Sequence, residues 1–350
     1  MTDPIEPPVD LGPAAPNRSP VPAEWPEPDP GEPAERGPGL FSLEGRRAPG
    51  LYLVAWLATV LGAPFFLSAL LFGAGGLGAL VLGSILLGPG LVAAAGVQAI
   101  ERRDRTDLAY RGPSPFLLLV ASLPLSILVT LPIVLAGLQL TSPVATLLSV
   151  AATGAIWLIL VAMTVVGPGA LTWREIAPGL SGAPAARVVG AVLLGAVAAF
   201  PVILATGVLA SIMIFLVGVV PDGPIAPPRD TPSLIGSLLA AALLAPISEE
   251  LFYRGFATTA WLHSYGPTRA IVQGGLFFAF VHVLTLGGPD FDHAARAALV
   301  AFVVRIPVAL ALGWMFVRRG SLAASIGLHA TFNGALVVLS ALAASTPTPA

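Results

Sequence analysis

The sequence predicts an all-α, polytopic membrane protein of about eight or nine transmembrane helices with a disordered N-terminal tail. Three observations lead to this fold class. The 350 residues are 56% hydrophobic and only 10% charged, whereas an ordinary soluble domain is about 25% charged. From residue 51 onwards, apolar runs long enough to cross a bilayer alternate with short polar breaks. The first 48 residues are proline-rich and acidic and have no apolar periodicity.

The tail, residues 1–48, is the first predicted domain. Its composition offers too little apolar surface to offset the entropy of ordering the chain, so we expect it to be disordered and solvated. It also lacks the basic start and apolar centre of a signal peptide. We therefore predict a cytoplasmic tail with no specific role.

The rest of the chain divides into residues 49–232, predicted to be N-terminal transmembrane helices, and residues 233–345, predicted to carry the chemistry. A spanning helix needs about 20 apolar residues. The candidate spans are 51–73, 76–99, 115–138, 144–167, 188–220, 233–262, 269–287, 296–317 and 321–343. The fifth is long and contains Pro201, so we expect it to be tilted, kinked or broken.

The arginines predict the orientation of the bundle. If nine spans are threaded, Arg229 and Arg296 alone fall on one side, and the other arginines outside the helices fall on the opposite side. Positively charged loops remain in the cytoplasm. The sequence therefore predicts an integral membrane protein with a cytoplasmic N-terminus and an external C-terminus. Its lysine-free, Ala-, Gly- and Pro-rich composition is typical of a GC-rich genome and indicates a bacterial plasma membrane.

Composition excludes several classes of function. The chain has no cysteine, so disulfides, thiolate metal sites and thiol nucleophiles are impossible. Its net charge of −2 argues against nucleic acid as a partner. No G-x-x-x-x-G-K-[ST] motif is present to bind phosphate. The partners that remain are the lipid bilayer and molecules that reach it.

Polar side chains inside apolar segments are functional candidates, because a charge at bilayer depth costs roughly 2.5–3.5 kcal/mol on insertion scales. Most of them lie in the last third of the chain: Glu249, Glu250, Arg254, His282, Arg305, His329 and Asn333. Glu250 and Arg254 are spaced i, i+4 and can pair on one helix face. Glu249 lies about 100° further round the helix. The spacing thus predicts one neutralised carboxylate and one that is available as a general base.

The histidines extend this set. His282 follows Phe278 by one turn, and His329 and Asn333 are again spaced i, i+4. Counting about 1.5 Å per residue along each predicted helix brings these groups to overlapping depths with Glu249. A base, two imidazoles and an amide in a dry site could activate water.

Each of these functional interpretations has a purely structural alternative. The charges could serve only to pin helices together, and a lone histidine in an apolar helix is often a packed core residue. Arg305 could pair with Glu250 or hold a substrate carboxylate, or it could snorkel to the outer interface. We expect His263 and His293 to be loop or interface residues.

Three short motifs then indicate a family. Residues 249–254 read "EELFYR", residues 278–282 read "FAFVH", and residues 329–333 read "HATFN". In this order and spacing they resemble the CPBP family of CAAX-protease and bacteriocin-processing (ABI) intramembrane endopeptidases, which includes the eukaryotic Ras-converting enzyme. The resemblance covers roughly residues 233–343, and the N-terminal half is only generically membranous.

This resemblance implies an all-helical membrane fold and peptide-bond hydrolysis in a cavity open to the cytoplasm, on a peptide or protein substrate in or at the membrane. By carry-over, Glu249 with His282 would activate water, and His329 with Asn333 would stabilise the oxyanion. Glu250, Arg254 and Phe278 would shape the site.

Two questions remain open at this stage. Two histidines and two glutamates could hold zinc, but no H-E-x-x-H pair is present and each histidine is on its own helix, so we predict no cofactor and keep zinc as the weaker alternative. A catalytically silent scaffold or immunity-type binding protein of the same fold is the rival to an enzyme. A transporter would predict repeats between the two halves, and none is visible.

Overall fold

The computed structural model describes residues 39–345 except 140–141, 181, 222, 224–226 and 285–286. All regular structure in this part of the chain is helical, which confirms the predicted all-α class. The chain divides into two units, Met1–Gly45 and Arg46–Ala350. In the first unit, residues 39–45 contain a turn closed by the Ser42 N–H, which donates to the Gly39 carbonyl. Residues 1–38, where most of the predicted disordered tail falls, lie outside the described residues.

The described part of the second unit forms ten helices, of which α7 is a composite of α and π segments. Their bounds are α1 Pro49–Phe72, α2 Gly76–Arg102, α3 Pro115–Leu135, α4 Pro143–Val166 (its last turn a π turn), α5 Trp173–Ile176, α6 Ala185–Val217, α7 Thr231–Tyr265, α8 Pro267–Val281, α9 Phe291–Arg319 and α10 Leu322–Ser345.

Eight of these helices are long and apolar enough to cross a membrane, namely α1 to α4, α6, α7, α9 and α10. The predicted fifth span is α6, a single helix of 33 residues that continues through Pro201. Of the three expectations for this span, a break at the proline is therefore wrong.

The predicted span at 269–287 needs a correction. Its helix, α8, has 15 residues, a length of about 22 Å, which is shorter than the roughly 30 Å hydrocarbon core. Gly266, with φ +79°, joins α7 to α8 in a single residue because glycine adopts this left-handed conformation without a steric penalty. Pro267 then starts α8 at the position where a missing N–H costs nothing.

Helix α8 runs antiparallel to α9. Gly275 lies against Leu310, and Ile271 lies against Gly313. This register puts the end of α8 level with about residue 303, so residues 291–302 of α9 extend about 18 Å further. Residues 282–290 connect the two levels without helix at their described positions. The predicted span at 269–287 is thus not among the eight helices of the described residues that are long and apolar enough to cross a membrane, and the orientation of the termini stays a prediction.

Helix α10 is held against α6 by two glycines at a close approach. A Cβ on Gly195 would lie 2.0 Å from the Ala324 carbonyl oxygen, and a Cβ on Gly327 would lie 2.2 Å from the Val192 carbonyl oxygen. Small residues that let backbones approach are typical of helix pairs in membranes. Since α10 carries His329, this contact also fixes the depth and rotation of that imidazole.

A cluster of aromatic rings packs α4 and α8 against α7. Trp157 of α4 stacks on Phe252 with ring centroids 5.1 Å apart. Tyr253 meets Phe277 and Phe278 of α8 edge to face, at 5.6 and 5.2 Å. Rings in this arrangement contribute more than their buried area alone, so the cluster holds in place the helices that carry the polar residues.

Candidate active site

Helix α7 departs from regular α geometry around the two glutamates. Segments 239–244 and 250–258 are π turns, and Ala245–Glu249 between them is α-helical. In a π turn each carbonyl accepts from the N–H five residues on. Pro246 has no N–H to give to the Ala241 carbonyl, and the Nδ2 group of Asn333 donates to that oxygen at 2.9 Å. Wide turns of this kind occur frequently at functional sites.

Glu250 is completely buried, and both of its carboxylate oxygens are engaged. Oε1 accepts hydrogen bonds from Arg254 Nη1 at 2.9 Å and from His329 Nδ1 at 2.8 Å. Oε2 accepts from the Ser325 hydroxyl at 2.5 Å. We call Glu250, Arg254 and Ser325 the closed network. The pair that the i, i+4 spacing predicts is present, and it is part of this larger network.

Arg254 is also completely buried. Its second terminal nitrogen donates to the Ala309 carbonyl on α9 at 3.4 Å, and its guanidinium lies 4.1 Å from the ring centroid of Phe278. A buried cation loses its contacts with water. Arg254 replaces them by its ion pair with Glu250, its hydrogen bond to the Ala309 carbonyl and its contact with the Phe278 ring.

Glu249 points to a different environment. Its side chain is 16% exposed, and its Oε2 is buried without a hydrogen-bond partner among the described residues. The nearest cationic or imidazole nitrogens are Nε2 of His282 at 3.5 Å and Nε2 of His329 at 3.7 Å. We call Glu249, His282 and the Nε2 edge of His329 the open side of the site. The structure thus brings together three residues from α7, the end of α8 and α10.

Both imidazoles are oriented by their other nitrogen. Nδ1 of His282 lies 2.7 Å from the Phe278 carbonyl, and a carbonyl only accepts, so Nδ1 carries the proton. Nδ1 of His329 donates to Glu250 in the same way. In both rings Nε2 is therefore the nitrogen that the Nδ1 hydrogen bond leaves for other contacts, and both Nε2 atoms face Glu249. His329 links the closed network to the open side because it uses one nitrogen for each.

Phe278 packs on the cation and on both imidazoles of the site. Its ring centroid lies 4.3 Å from that of His282 and 5.5 Å from that of His329, besides its contact with Arg254. Its position agrees with the shaping role inferred from the motif. The amide of Asn333 is bound to Ala241, which precedes Glu249 by about two turns of α7, so the structure gives this residue a tie between α10 and α7.

Ser325 is the member of the closed network that sequence reasoning missed. It is completely buried and donates to Glu250, with the Leu312 carbonyl 3.2 Å away. A signal was available, because Ser325, His329 and Asn333 follow one another at intervals of four and share one face of α10. Serine is common in membrane helices, which is why it did not stand out.

Arg305 does not pair with Glu250, so that expectation is wrong. Its Nη1 donates to the Ala301 carbonyl at 2.9 Å on its own helix, and the side chain is half-buried. His293 lies in the first turn of α9, where its backbone N–H is capped by Asp290.

His263 lies near the end of α7 that is remote from Thr231, beside helix α5. Its Nε2 is 3.6 Å from Glu175 Oε1. Burial opposes ionisation of Glu175, but hydrogen bonds from the Thr172 hydroxyl and N–H outweigh it and lower the pKa of this carboxyl. The interface role predicted for His263 agrees with this position.

Among the described residues, no group of three or more His, Cys, Asp or Glu side chains is arranged to hold a metal ion. The nearest approach to such a set is the open side.

Fold and site together define a class: a membrane-embedded helical bundle with an acidic and imidazole-rich polar site. Residues 231–335 match the family model described as Rce1-like, type II CAAX prenyl endopeptidase. This region, which contains all of α7, α8 and α9 and the site residues of α10, belongs to the CPBP/CAAX protease family. In general terms, this match supports an intramembrane protease of the CAAX type. No curated protein and no solved structure gives a significant match.

Proposed function

We propose that this protein is an intramembrane endopeptidase in which Glu249 and His282 activate a water molecule and His329 with Asn333 stabilises the oxyanion. The observation that carries the proposal is the environment of Glu249 Oε2. This oxygen is buried, has no hydrogen-bond partner among the described residues, and faces two imidazole nitrogens at 3.5 and 3.7 Å.

The donor and acceptor roles of these three atoms explain why a water molecule can bind between them. When both rings are neutral, their Nε2 atoms and the Glu249 oxygen are all acceptors, so they repel one another when nothing lies between them. A water molecule has two protons to donate and bridges acceptors whose separation is slightly longer than a hydrogen bond. Held there, it loses a proton to the carboxylate as it attacks, which is general-base catalysis.

The reaction then follows in two steps. The water oxygen bonds to the scissile carbonyl carbon as its proton passes to Glu249, and the carbonyl becomes an oxyanion. The C–N bond breaks next, and Glu249 returns the proton to the leaving nitrogen, which yields a new carboxyl end and a new amino end. No external oxidant, reductant or other co-reactant is needed.

His329 is suited to stabilise the oxyanion because Glu250 orients it. In the neutral ring Nε2 carries no proton, so this role requires His329 to take up a proton from solvent before the attack; the ring then donates from Nδ1 to Glu250 and from Nε2 to the developing negative charge, and it releases that proton after cleavage. One N–H of the Asn333 amide is bound to Ala241, and its second N–H is the donor that this mechanism assigns to the oxyanion.

Comparison of membrane peptides from cells with the wild-type chain and with Glu249→Gln tests the function. Peptide ends that depend on Glu249 identify the substrate and the cleaved bond. A model peptide taken from that cut is then incubated with the purified full chain in detergent, with and without a zinc chelator. Activity that survives chelation supports the metal-free mechanism.

Two results would favour a different mechanism or a different function. Loss of activity on chelation and recovery with zinc would make Glu249 and the histidines ligands of a catalytic metal. Identical peptide ends in both strains, together with no cleavage by the purified chain, would favour the rival, a scaffold or immunity-type binding protein of the same fold.

A further inference from the structure

Arg305 is an arginine at the centre of a membrane helix, and it forms no ion pair with any described residue. It lies midway along α9, Phe291–Arg319. Only Nη1 is bonded, to a carbonyl on the same helix, and the guanidinium has no carboxylate partner among the described residues. Its other nitrogens are not sealed in the core, unlike Nε of Arg254, which is buried without a partner. A lone charge at this depth costs free energy, so its presence needs a reason.

Two structural reasons do not apply. Nine residues, about 14 Å of helix, separate Arg305 from Arg296 in the exposed part of α9, which is longer than an arginine side chain can bridge by snorkelling. The proline two residues later, Pro307, removes the N–H partner of the Val303 carbonyl. Arg305 donates instead to Ala301, whose carbonyl is not the one that the proline leaves free.

Arg305 lies on the face of α9 that meets the site. The Ala309 and Leu312 carbonyls on this face contact Arg254 and Ser325. Residue 305 precedes Ala309 by one turn and therefore shares its face. The guanidinium thus lies one turn beyond the closed network, towards the N-terminal end of α9.

Glu249 lies on the same side of the Arg254–Ala309 contact as Arg305. Helix α7 is antiparallel to α8, because Thr258 lies against Gly274 and Tyr253 against Phe278, so α7 and α9 run parallel. Glu249 precedes Arg254 by five residues. The two charges are consequently at the same level of the bundle, and they interact electrostatically without forming an ion pair. A cation with free donors and a carboxylate base therefore face one polar space.

We propose that Arg305 is a specificity-determining residue that binds a carboxylate of the peptide substrate while Glu249 acts on the bond to be cut; the role in cleavage rests on the proposed function. The planar guanidinium matches a carboxylate in two parallel hydrogen bonds. Its attraction for an anion is strong because the site is largely shielded from water. The carboxylate comes either from the free C-terminus of the substrate or from an Asp or Glu side chain.

The first test needs no substrate. Arg305→Met in the full chain removes an uncompensated charge and keeps a long apolar stem, so we expect a melting temperature in detergent equal to or above that of the wild type. Arg296→Met, at the exposed end of the same helix, is the matched control and should change little. A drop for Arg305→Met as large as that for Arg254→Ala would make Arg305 a structural residue and overturn the proposal.

The second test measures binding with three probes: acetyl-Ala-Leu-Leu with a free C-terminus, the same peptide as its C-terminal amide, and acetyl-Ala-Asp-Leu amide. They are titrated onto the Glu249→Gln chain, in which binding is separated from cleavage. We expect a carboxylate probe to bind at least tenfold more tightly than the Ala-Leu-Leu amide. Arg305→Met should abolish the difference, and Arg305→Lys should keep part of it.

The outcomes distinguish the two sources of the carboxylate, and they distinguish failure of the Arg305 proposal from failure of the proposed endopeptidase function. Preference for the free acid identifies a C-terminal carboxylate, and preference for the Asp peptide identifies a side chain. Equal binding of all three probes, or a preference that persists in Arg305→Met, overturns the assignment of Arg305. Carboxylate binding that depends on Arg305 in a chain that cleaves nothing would instead leave the carboxylate site standing and remove the proposed function.

Discussion

Glu249 and Glu250 are adjacent in the chain but lie in two differently built regions of the site. In the closed network the Glu250 carboxylate receives three hydrogen bonds and no part of it is exposed. On the open side the Glu249 oxygen has no hydrogen-bond partner among the described residues and meets only the free edges of two imidazoles. A carboxylate with hydrogen bonds to both of its oxygens contributes to stability, and one with an oxygen that lacks a partner is available for chemistry. The same substitution should therefore affect the cleavage rate on the open side and the stability in the closed network.

The largest expected effect is on the rate when Glu249 is changed to Gln. The amide keeps the size and polarity of the side chain but cannot accept the proton, so we expect peptide cleavage to fall by about 10²–10⁴-fold with an unchanged melting temperature. The same change at Glu250 should lower the melting temperature, because the amide cannot satisfy three donors. Full activity in the Glu249 variant would show that the base is another residue.

Arg254→Ala should break the closed network. It leaves Glu250 buried without its cation, and loss of one partner of a buried ion pair costs roughly 3–5 kcal/mol. We expect this loss in a thermal melt in detergent, together with lower expression. The double change Glu250→Gln with Arg254→Gln should melt higher than Arg254→Ala because neither charge is left alone. A double variant that is less stable than Arg254→Ala would mean that charge pairing is not what stabilises this network.

Gly327→Ala tests how far both regions depend on the position of α10. The new Cβ would approach the Val192 carbonyl oxygen at 2.2 Å, so α10 must move away from α6, at a cost of about 1–3 kcal/mol. Activity should fall as well, since the same helix carries His329. Gly207→Ala on α6 is the matched control: nothing lies within 4 Å of its new Cβ, and it should leave stability unchanged or slightly increased. Equal behaviour of the two variants would contradict the close-packing explanation.

The smallest expected effect on stability is that of breaking a solvent-exposed ion pair on α9. Asp292 and Arg296 form an i, i+4 ion pair on the exposed part of α9, with the order and spacing of Glu250 and Arg254. Exposed pairs of this kind are worth about 0.2–0.5 kcal/mol on a helix. Arg296→Gln should therefore shift the melting temperature by less than the uncertainty of most measurements. A loss comparable with that of Arg254→Ala would show that burial is not what separates the two pairs.

The membrane-helix class could be predicted because hydrophobicity and helix length are local properties of the chain. The span at 269–287 was overestimated for the same reason. Apolar residues continue past Val281, but the helix stops there and residues 282–290 continue without helix at their described positions. Composition does not reveal where a helix ends when the residues beyond it are also apolar.

The sequence by itself determined which residues could take part in the site, since a carboxylate, an imidazole or an arginine in an apolar helix is conspicuous and i, i+4 spacing fixes a shared face. It also determined that Arg254 could pair with Glu250. Only the tertiary structure decided that His329 joins Glu250 through Nδ1, that Ser325 completes the closed network, and that Arg305 has no acidic partner among the described residues. These facts depend on the rotation and depth of α9 and α10 against α7. Contacts between distant helices are set by packing, and no spacing within a single helix encodes them.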